Sequence, residues 1–553
     1  MNAAEIAASG DWPAELFAIA CPSAPAPIDP SAQRMGFKAY NLWRMARAGL
    51  PVPPGFVLGT AYCTDAQRRR LGADPATWRG ALAALEAASG RRLGDARRPL
   101  LVSVRSGAAV SMPGMMETLL NIGLNDTAID GLVALTGQPR LAWDAYRRLV
   151  SGFGEIVAGL PKERFEAEWT AVAAGRAAHE LAFDELRAIT RRCLAAYATA
   201  TGQPFPQNPY EQLQRAIGAV FASWDSPKAR HYRSRHGLDD SPGTAVTVQA
   251  MVFGNAGSLS GAGVGFTRNP IDGQPAPWVD FLFDAQGEDV VSGRRRAHGH
   301  AALAARLPAV WRELQTLAPL LEALGTDMQE FEFTVEQGRL YLLQTRDGKR
   351  TAVAAARIAL DLLAAGSIDR ATAQERTAGL DRAALQLQRL IGNEERLPQP
   401  LAEATPASPG VAAGEIALDE MRVRTRQAAG ASVILVRRDA ETADIAALDH
   451  AAGLLTQRGA RTAHAAVIAR QLGRVCLVGC SELEIDLNTR SIRFGPHTLQ
   501  EGDPITLDAN QGRVYPGLLR AQAWVDEDLL QRLTALHGSA PAECNPDPPG
   551  NNN

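Results

Sequence analysis

The sequence has 553 residues, 46% of them hydrophobic and 21% charged, with a formal net charge of -3. Such a length calls for two or three domains and such a composition for a globular fold, while the even charge balance implies no nucleic-acid partner. Six cysteines without a C-x-x-C pair, a start that lacks a basic-then-apolar pattern, and no run near about 18 uninterrupted apolar residues point to a reducing, cytoplasmic location with no membrane association.

In chain order, Phe37 to Ala48 has the spacing of a helix stopped by Gly49, and the Leu50-Pro51-Val52-Pro53-Pro54 run after it forces an extended entry into a short strand. The apolar run Leu100 to Val104 predicts a buried strand ending at Arg105, followed by a loop of Gly, Ser and Met, SGAAVSMPGMME. Leu132 to Trp224 is helical in period with one Pro-rich break, QPFPQNP, and reads as a helical insert. Gly243 to Gly293 is β-rich and studded with glycine. The clearest local signal lies at Glu330 to Arg346, where EFEFTV and RLYLLQTR alternate on either side of Glu336-Gln337-Gly338 and predict a hairpin. Thr351 to Leu363 reads as a helix, Ile368 to Leu390 as its helical continuation, and Gly392 to Pro409, with prolines at 398, 400, 406 and 409, as a linker. Ala407 to Gly517 forms a second, smaller α/β unit, and Ser539 to Asn553 a frayed tail.

Two constellations carry chemistry. Glu330 and Glu332 stand two apart on a predicted strand, so both carboxylates share one face while Phe331 and Phe333 take the other; Gln344 and Arg346 repeat the device on the partner strand. That face suits Mg²⁺ bridging phosphate oxygens, and equally a solvated, salt-bridged strand. Farther on, in TQRGARTAHAAVIARQLGRVCLVGC, a Gly turn leads to Thr462, a good N-cap, and places His464 at the second position of a helix. The positive end of the helix dipole favours an anionic phosphoryl group and keeps the imidazole unprotonated, and Arg458, Arg461 and Arg470 add donors.

The His464 segment closely resembles the phosphohistidine signature of the pyruvate phosphate dikinase and phosphoenolpyruvate synthase family. MQEFEFTVEQGRLYLLQTRDGKR resembles the closing hairpin of its ATP-grasp domain, GFKAYNL before LPVPPGF its opening motif, and SVRSGAAVSMPGMMET its phosphate clamp. TAVTVQAMVFGNAGSLSGAGVGFTRNP and DAQGEDVVSG resemble its nucleotide-cleft strands and loop. The resemblance implies that His464 is phosphorylated in each cycle and that Glu330 and Glu332 hold Mg²⁺. It places Lys38, Arg105, Gln344 and Arg346 on phosphates, with Arg105 and Arg346 acting beside His464 in catalysis. Gly107 and Gly114 let the backbone close over the triphosphate, Gln249, Met251 and Val252 lie near the adenine, and Glu288 stands on a cleft loop. The chain departs from the family at Glu330, where Asp is commoner, and at Gly459-Ala460, where two glycines are usual.

The implied fold is a multidomain α/β and α+β chain. An ATP-grasp domain over 1–348 carries the helical insert at 130–225, a helical and Pro-rich linker runs over 349–404, a swivelling phosphohistidine domain over 405–517, and a C-terminal helix and tail over 518–553. The implied reaction takes ATP and inorganic phosphate to AMP, pyrophosphate and phosphohistidine. Only Leu518 to Asn553 follow the match, against about 200 residues for the family's pyruvate-binding (β/α)₈ barrel. The phosphoryl group is therefore expected to pass to pyruvate, or to arrive from phosphoenolpyruvate, on a separate acceptor protein. The alternatives are another acceptor, such as an alcohol or phenol, and a phosphohistidine carrier or regulator without its own turnover.

Overall fold

The computed structural model describes residues 12–110, 112, 116–176, 178–239, 242–291, 297–391, 397–439, 444–461 and 464–538. Strands β1 (Leu16–Ile19), β2 (Gly55–Leu58), β3 (Val102–Gly107), β4 (Thr118–Ile122) and β5 (Ala245–Ala250) make one antiparallel sheet, ordered β1-β2-β5-β3-β4. Helix α1 (Phe37–Arg47) joins β1 to β2. Between β4 and β5 lies the expected helical insert, whose central helix α2 (Pro139–Ile156) buries Tyr146, Leu149 and Phe153 in the core of this sheet. Strand β3 runs two residues past the expected end at Arg105, because Ser106 and Gly107 stay paired with Val246 and Ala245 of β5.

A second antiparallel sheet, ordered β10-β9-β6-β7-β8, is built from β6 (Gly261–Phe266), β7 (Trp278–Phe283), β8 (His298–Gly299), β9 (Gln329–Glu336) and β10 (Arg339–Asp347), with the short helix α3 (Gly287–Val291) after β7. The β9–β10 hairpin closes on Gln337 and Gly338, both at positive φ (50° and 79°), the requirement of a tight two-residue turn that follows the strand twist. On β6, Gly261, Gly263 and Gly265 share one face. A Cβ at Gly263 would stand 2.5 Å from the Phe333 ring, and one at Gly265 would stand 2.6 Å from the Phe331 ring. This alternating glycine pattern makes room for the phenylalanines of β9 and thereby turns Glu330 and Glu332 to the opposite face.

Helices α4 (Ala352–Ala364) and α5 (Arg370–Arg376) follow, then β11 (Leu387–Leu390). The expected helix over Ile368 to Leu390 is thus confined to its first part. Leu387–Leu390 pairs instead with β23 (Ala521–Trp524), far along the chain. The expected linker also gives up its end to structure: β12 (Ala402–Glu403) and β13 (Thr405–Ser408) are edge strands, with Pro406 at an irregularity of register where its missing N–H is tolerated.

These two edges flank an eight-stranded sheet, ordered β12-β22-β21-β14-β15-β16-β17-β13. Its parallel centre comprises β14 (Val411–Ala417), β15 (Val433–Arg437), β16 (Gly453–Thr456) and β17 (Val475–Val478), and helix α6 (His464–Gln471) crosses from β16 to β17. Strands β18 (Leu483–Asp486), β19 (Ser491–Phe494) and β20 (His497–Gln500) form a small antiparallel sheet of their own, and β21 (Pro504–Asp508) and β22 (Arg513–Pro516) complete the large one. After β23, helix α7 (Glu527–His537) packs Leu529, Leu533 and Leu536 into one core with Val353 and Ile358 of α4. The chain is thus α+β in its first part and α/β in its second. No described helix is long and apolar enough to cross a membrane.

Candidate active site

Helix α1 is fixed between the two antiparallel sheets. Gly36, at its start, has φ 75°, and a Cβ there would stand 2.0 Å from the Gly107 carbonyl oxygen at the end of β3, so only glycine permits the approach. The Phe37 N–H donates to the Ala108 carbonyl at 2.9 Å. One turn on, Asn41 Nδ2 donates to the Thr345 carbonyl of β10 at 3.2 Å. Lys38 therefore lies between Arg105 of β3 and the β9–β10 hairpin. Burial pulls its ammonium below the ordinary lysine value, against the attraction of Glu332 and with the help of Arg105 and Arg346.

On the hairpin, Glu330 is paired in register with Arg346 and Glu332 with Gln344. Glu330 is 4% exposed, and its Oε1 lies 2.6 Å from Arg346 Nη2. Burial alone would lower the guanidinium of Arg346, but the Glu330 hydrogen bond and the charges of Glu330 and Glu332 outweigh it and hold the group above its usual value. The other carboxylate oxygen of Glu330, Oε2, is buried with no hydrogen-bond partner. An orphaned anionic oxygen on the same strand face as a second carboxylate is what a Mg²⁺ ion would satisfy. Among the described residues no group of three or more His, Cys, Asp and Glu gathers, so such an ion would complete its shell from phosphate oxygens and water, its ordinary habit beside nucleotides.

The remaining expected residues divide. Gly107 is buried and its N–H donates to Thr244 Oγ1 at 3.1 Å, holding the end of β3 to the start of β5. Gln249 is buried and its Nε2 donates to the Pro53 carbonyl at 2.9 Å, so its amide braces the Pro-rich entry to β2. Met251 and Val252 are half-buried where the chain passes from the first sheet to the second, and Met251 packs on the first core. Gly114 and Thr462 lie outside the described residues, as do the side chains of Glu288 and His464. Asn41 went unnoticed in the sequence, since one asparagine in a helix carries no signal of a contact 304 positions away.

His464 lies in helix α6 (His464–Gln471), while Thr462 and Ala463, on which its expected second position depends, lie outside the described residues. In the loop before it the positive φ falls on Gly459 (121°), while Ala460 is buried without one, so the Gly-Ala pair is accommodated. The arginines do not all serve this loop. Arg461 reaches out of the eight-stranded unit: its Nη2 lies 2.8 Å from Asp280 Oδ1 of β7 and donates to the Val279 carbonyl at 2.9 Å, with the guanidinium 3.9 Å from the Trp278 ring. Arg470 is buried against the same tryptophan, 5.4 Å from its ring. Arg458, by contrast, lines a cleft of about 770 Å³ with Arg140, Arg147 and Arg148 of α2 and Asp289 of α3. Arg461 and Arg470 thus link the unit that carries His464 to Asp280 and Trp278 of the sheet that holds Glu330, Glu332 and Arg346.

Two family profiles match the chain: "Pyruvate phosphate dikinase, AMP/ATP-binding domain" over residues 75–302 and "PEP-utilising enzyme, mobile domain" over residues 430–512. Among similar proteins, the pyruvate, phosphate dikinase of Clostridium symbiosum is 41% identical over 511 residues, covering 88% of this chain and 57% of that protein. That of Giardia intestinalis is 40% identical over 514 residues, covering 90% and 57%. Pyruvate, phosphate dikinase 2 of Zea mays is 40% identical over 489 residues, covering 87% and 55%. The chain spans little more than half the length of these relatives.

Proposed function

Since the chain carries the AMP/ATP-binding domain of pyruvate phosphate dikinases followed by a PEP-utilising mobile domain, we propose that it is a dikinase-like phosphotransferase that charges its own His464 from ATP and inorganic phosphate. The observation that carries the reading is the convergence of Lys38, Arg105 and Arg346 with the Glu330–Glu332 face. Three cations from α1, β3 and β10 match the charge of a triphosphate, and preorganised charge of this kind is the main lever in phosphoryl transfer. Mg²⁺ held by Glu330 and Glu332 would supply charge neutralisation between phosphate oxygens. The imidazole nitrogen of His464 bonds to the β-phosphorus as the α–β anhydride breaks, releasing AMP; inorganic phosphate then takes the γ-phosphoryl group, leaving as pyrophosphate, and the β-phosphoryl group stays on the ring. The Arg461–Asp280 contact supports direct transfer, because it brings the start of α6 to the sheet that holds the clamp. A carrier with a decayed nucleotide site would have no use for so complete a clamp.

The acceptor is proposed to be pyruvate on a separate barrel-bearing subunit, and five free cysteines among the described residues support a reducing, cytoplasmic setting. The test is ATP labelled at the β-phosphate, with Mg²⁺ and inorganic phosphate. Label that is acid-labile and base-stable, absent in His464→Ala, with AMP and pyrophosphate in equal amount, is the expected result. Label that never appears, or that persists in His464→Ala, rejects the proposal. Adding pyruvate to the charged protein alone checks the acceptor: prompt discharge to phosphoenolpyruvate would refute the separate subunit.

A further inference from the structure

We infer that Arg470 is a positioning residue that ties the loop before His464 to the nucleotide-binding domain, so that the histidine is held for transfer only while the two domains touch. The reaction served is the one proposed above; the role in holding the domains together is argued, and tested, independently of it.

Arg470 is 2% exposed, near the end of α6. Its Nε donates to the Ala407 carbonyl of β13 at 2.9 Å, and its Nη2 donates to the Arg461 carbonyl at 3.2 Å, at the last described residue before the histidine helix. One guanidinium thus staples the loop to the edge of the sheet. Nη1 is buried with no hydrogen-bond partner. The cation faces the nucleotide-binding domain, 5.4 Å from the Trp278 ring and 5.9 Å from the Phe266 ring, and senses Glu330 and Asp280. Burial brings it down to about 10, so it stays charged at neutral pH.

A buried guanidinium with an idle donor is expensive, and α6 could cover β17 as well with an apolar side chain. The arrangement makes sense at a junction that opens. With the domains apart, Nη1 faces water. With them together, it exchanges water for two aromatic faces and the field of two carboxylates, and Trp278 is gripped between Arg470 and Arg461. Because the same side chain holds the Arg461 carbonyl, contact with Trp278 and the set of the histidine loop are a single event.

The experiment compares wild type with Arg470→Met, Arg470→Lys, Trp278→Leu and the Met–Leu double variant. Hydrogen exchange at the amides of β7 and α6 reads contact between the domains without any chemistry, and single-turnover labelling of His464 against ATP concentration reads transfer. Arg470→Met should lose protection at both places and slow labelling at saturating ATP by about 10-fold or more, with the half-saturating ATP concentration within about 2-fold of wild type. Lysine keeps the charge but lacks the fork that spans two carbonyls, so it should recover only part of the rate. The double variant should be no worse than the poorer single one. Unchanged protection at β7, loss of protection throughout β14 and β15, or additive losses would each overturn the inference. Should wild type take no label, the phosphotransfer reading falls, while the exchange data still decide what Arg470 does.

Discussion

The two halves of the site are built on opposite plans. On the side of the proposed clamp, the hairpin fixes Glu330, Glu332, Gln344 and Arg346 by strand register, and a glycine contact sets Lys38 beside them, so these groups meet within one domain. On the histidine side, two of the three arginines expected to serve His464, Arg461 and Arg470, reach instead to Asp280 and Trp278 of the other domain. One half is stiff by itself, and the other gains its geometry from contact. Charge can be stored in a rigid frame, whereas a group that must travel is best ordered on arrival.

That contrast can be broken most severely at the frame. Phe333→Ala empties the space that Gly263 opens and should cost about 3–5 kcal/mol of stability. Denaturant melts should show the nucleotide-binding part unfolding early while the eight-stranded unit keeps its own transition. Arg346→Ala leaves the frame standing but strips the buried Glu330 of its cation; single-turnover labelling of His464 should fall about 10²- to 10³-fold. Asp280→Asn probes the other plan. It deprives Arg461 of its anion, and labelling should slow by about 10-fold, with calorimetry unchanged for the eight-stranded unit and with a response to ionic strength smaller than that of wild type.

The smallest effect sharpens the comparison by sign. The ammonium of Lys38 is held below its ordinary value by burial, so between the folded and unfolded values the unfolded chain binds more protons, and stability rises with pH. The charge therefore weakens the empty fold at neutral pH, and the loss is relieved as pH climbs through the lowered value. Lys38→Met should flatten that alkaline rise, read as a smaller gain in melting temperature between neutral and alkaline pH, while abolishing labelling. A variant that melts lower than wild type would show that Lys38 is a structural partner instead.

The legible parts of this protein are those whose determinants are local. The hairpin announced itself because strict alternation and a Gln-Gly turn lie within a few residues of one another, and the partition of acids from phenylalanines follows from that period alone. Leu387–Leu390 was hidden because its partner strand begins at Ala521 and the four residues Leu-Gln-Arg-Leu carry no period-two pattern of their own. The glycines of β6 looked like nucleotide-cleft residues, yet their spacing answers to Phe331 and Phe333, which stand more than sixty positions away. Arg461 and Arg470 were read as donors for a phosphoryl group because they are close to His464 in sequence; which way each side chain turns depends on a surface of the other domain that no local pattern encodes.

The pairing of β11 with β23 gives the eight-stranded unit a common threshold for entry and departure. A body leashed at one spot by two plies can turn about that spot but cannot wander off. Because one chain carries both His464 and the proposed clamp, transfer between them would be intramolecular at any dilution, and the paired strands narrow the arc over which the unit can turn. A single protease cut in either ply would leave the other holding, and the nicked protein should still find its own nucleotide.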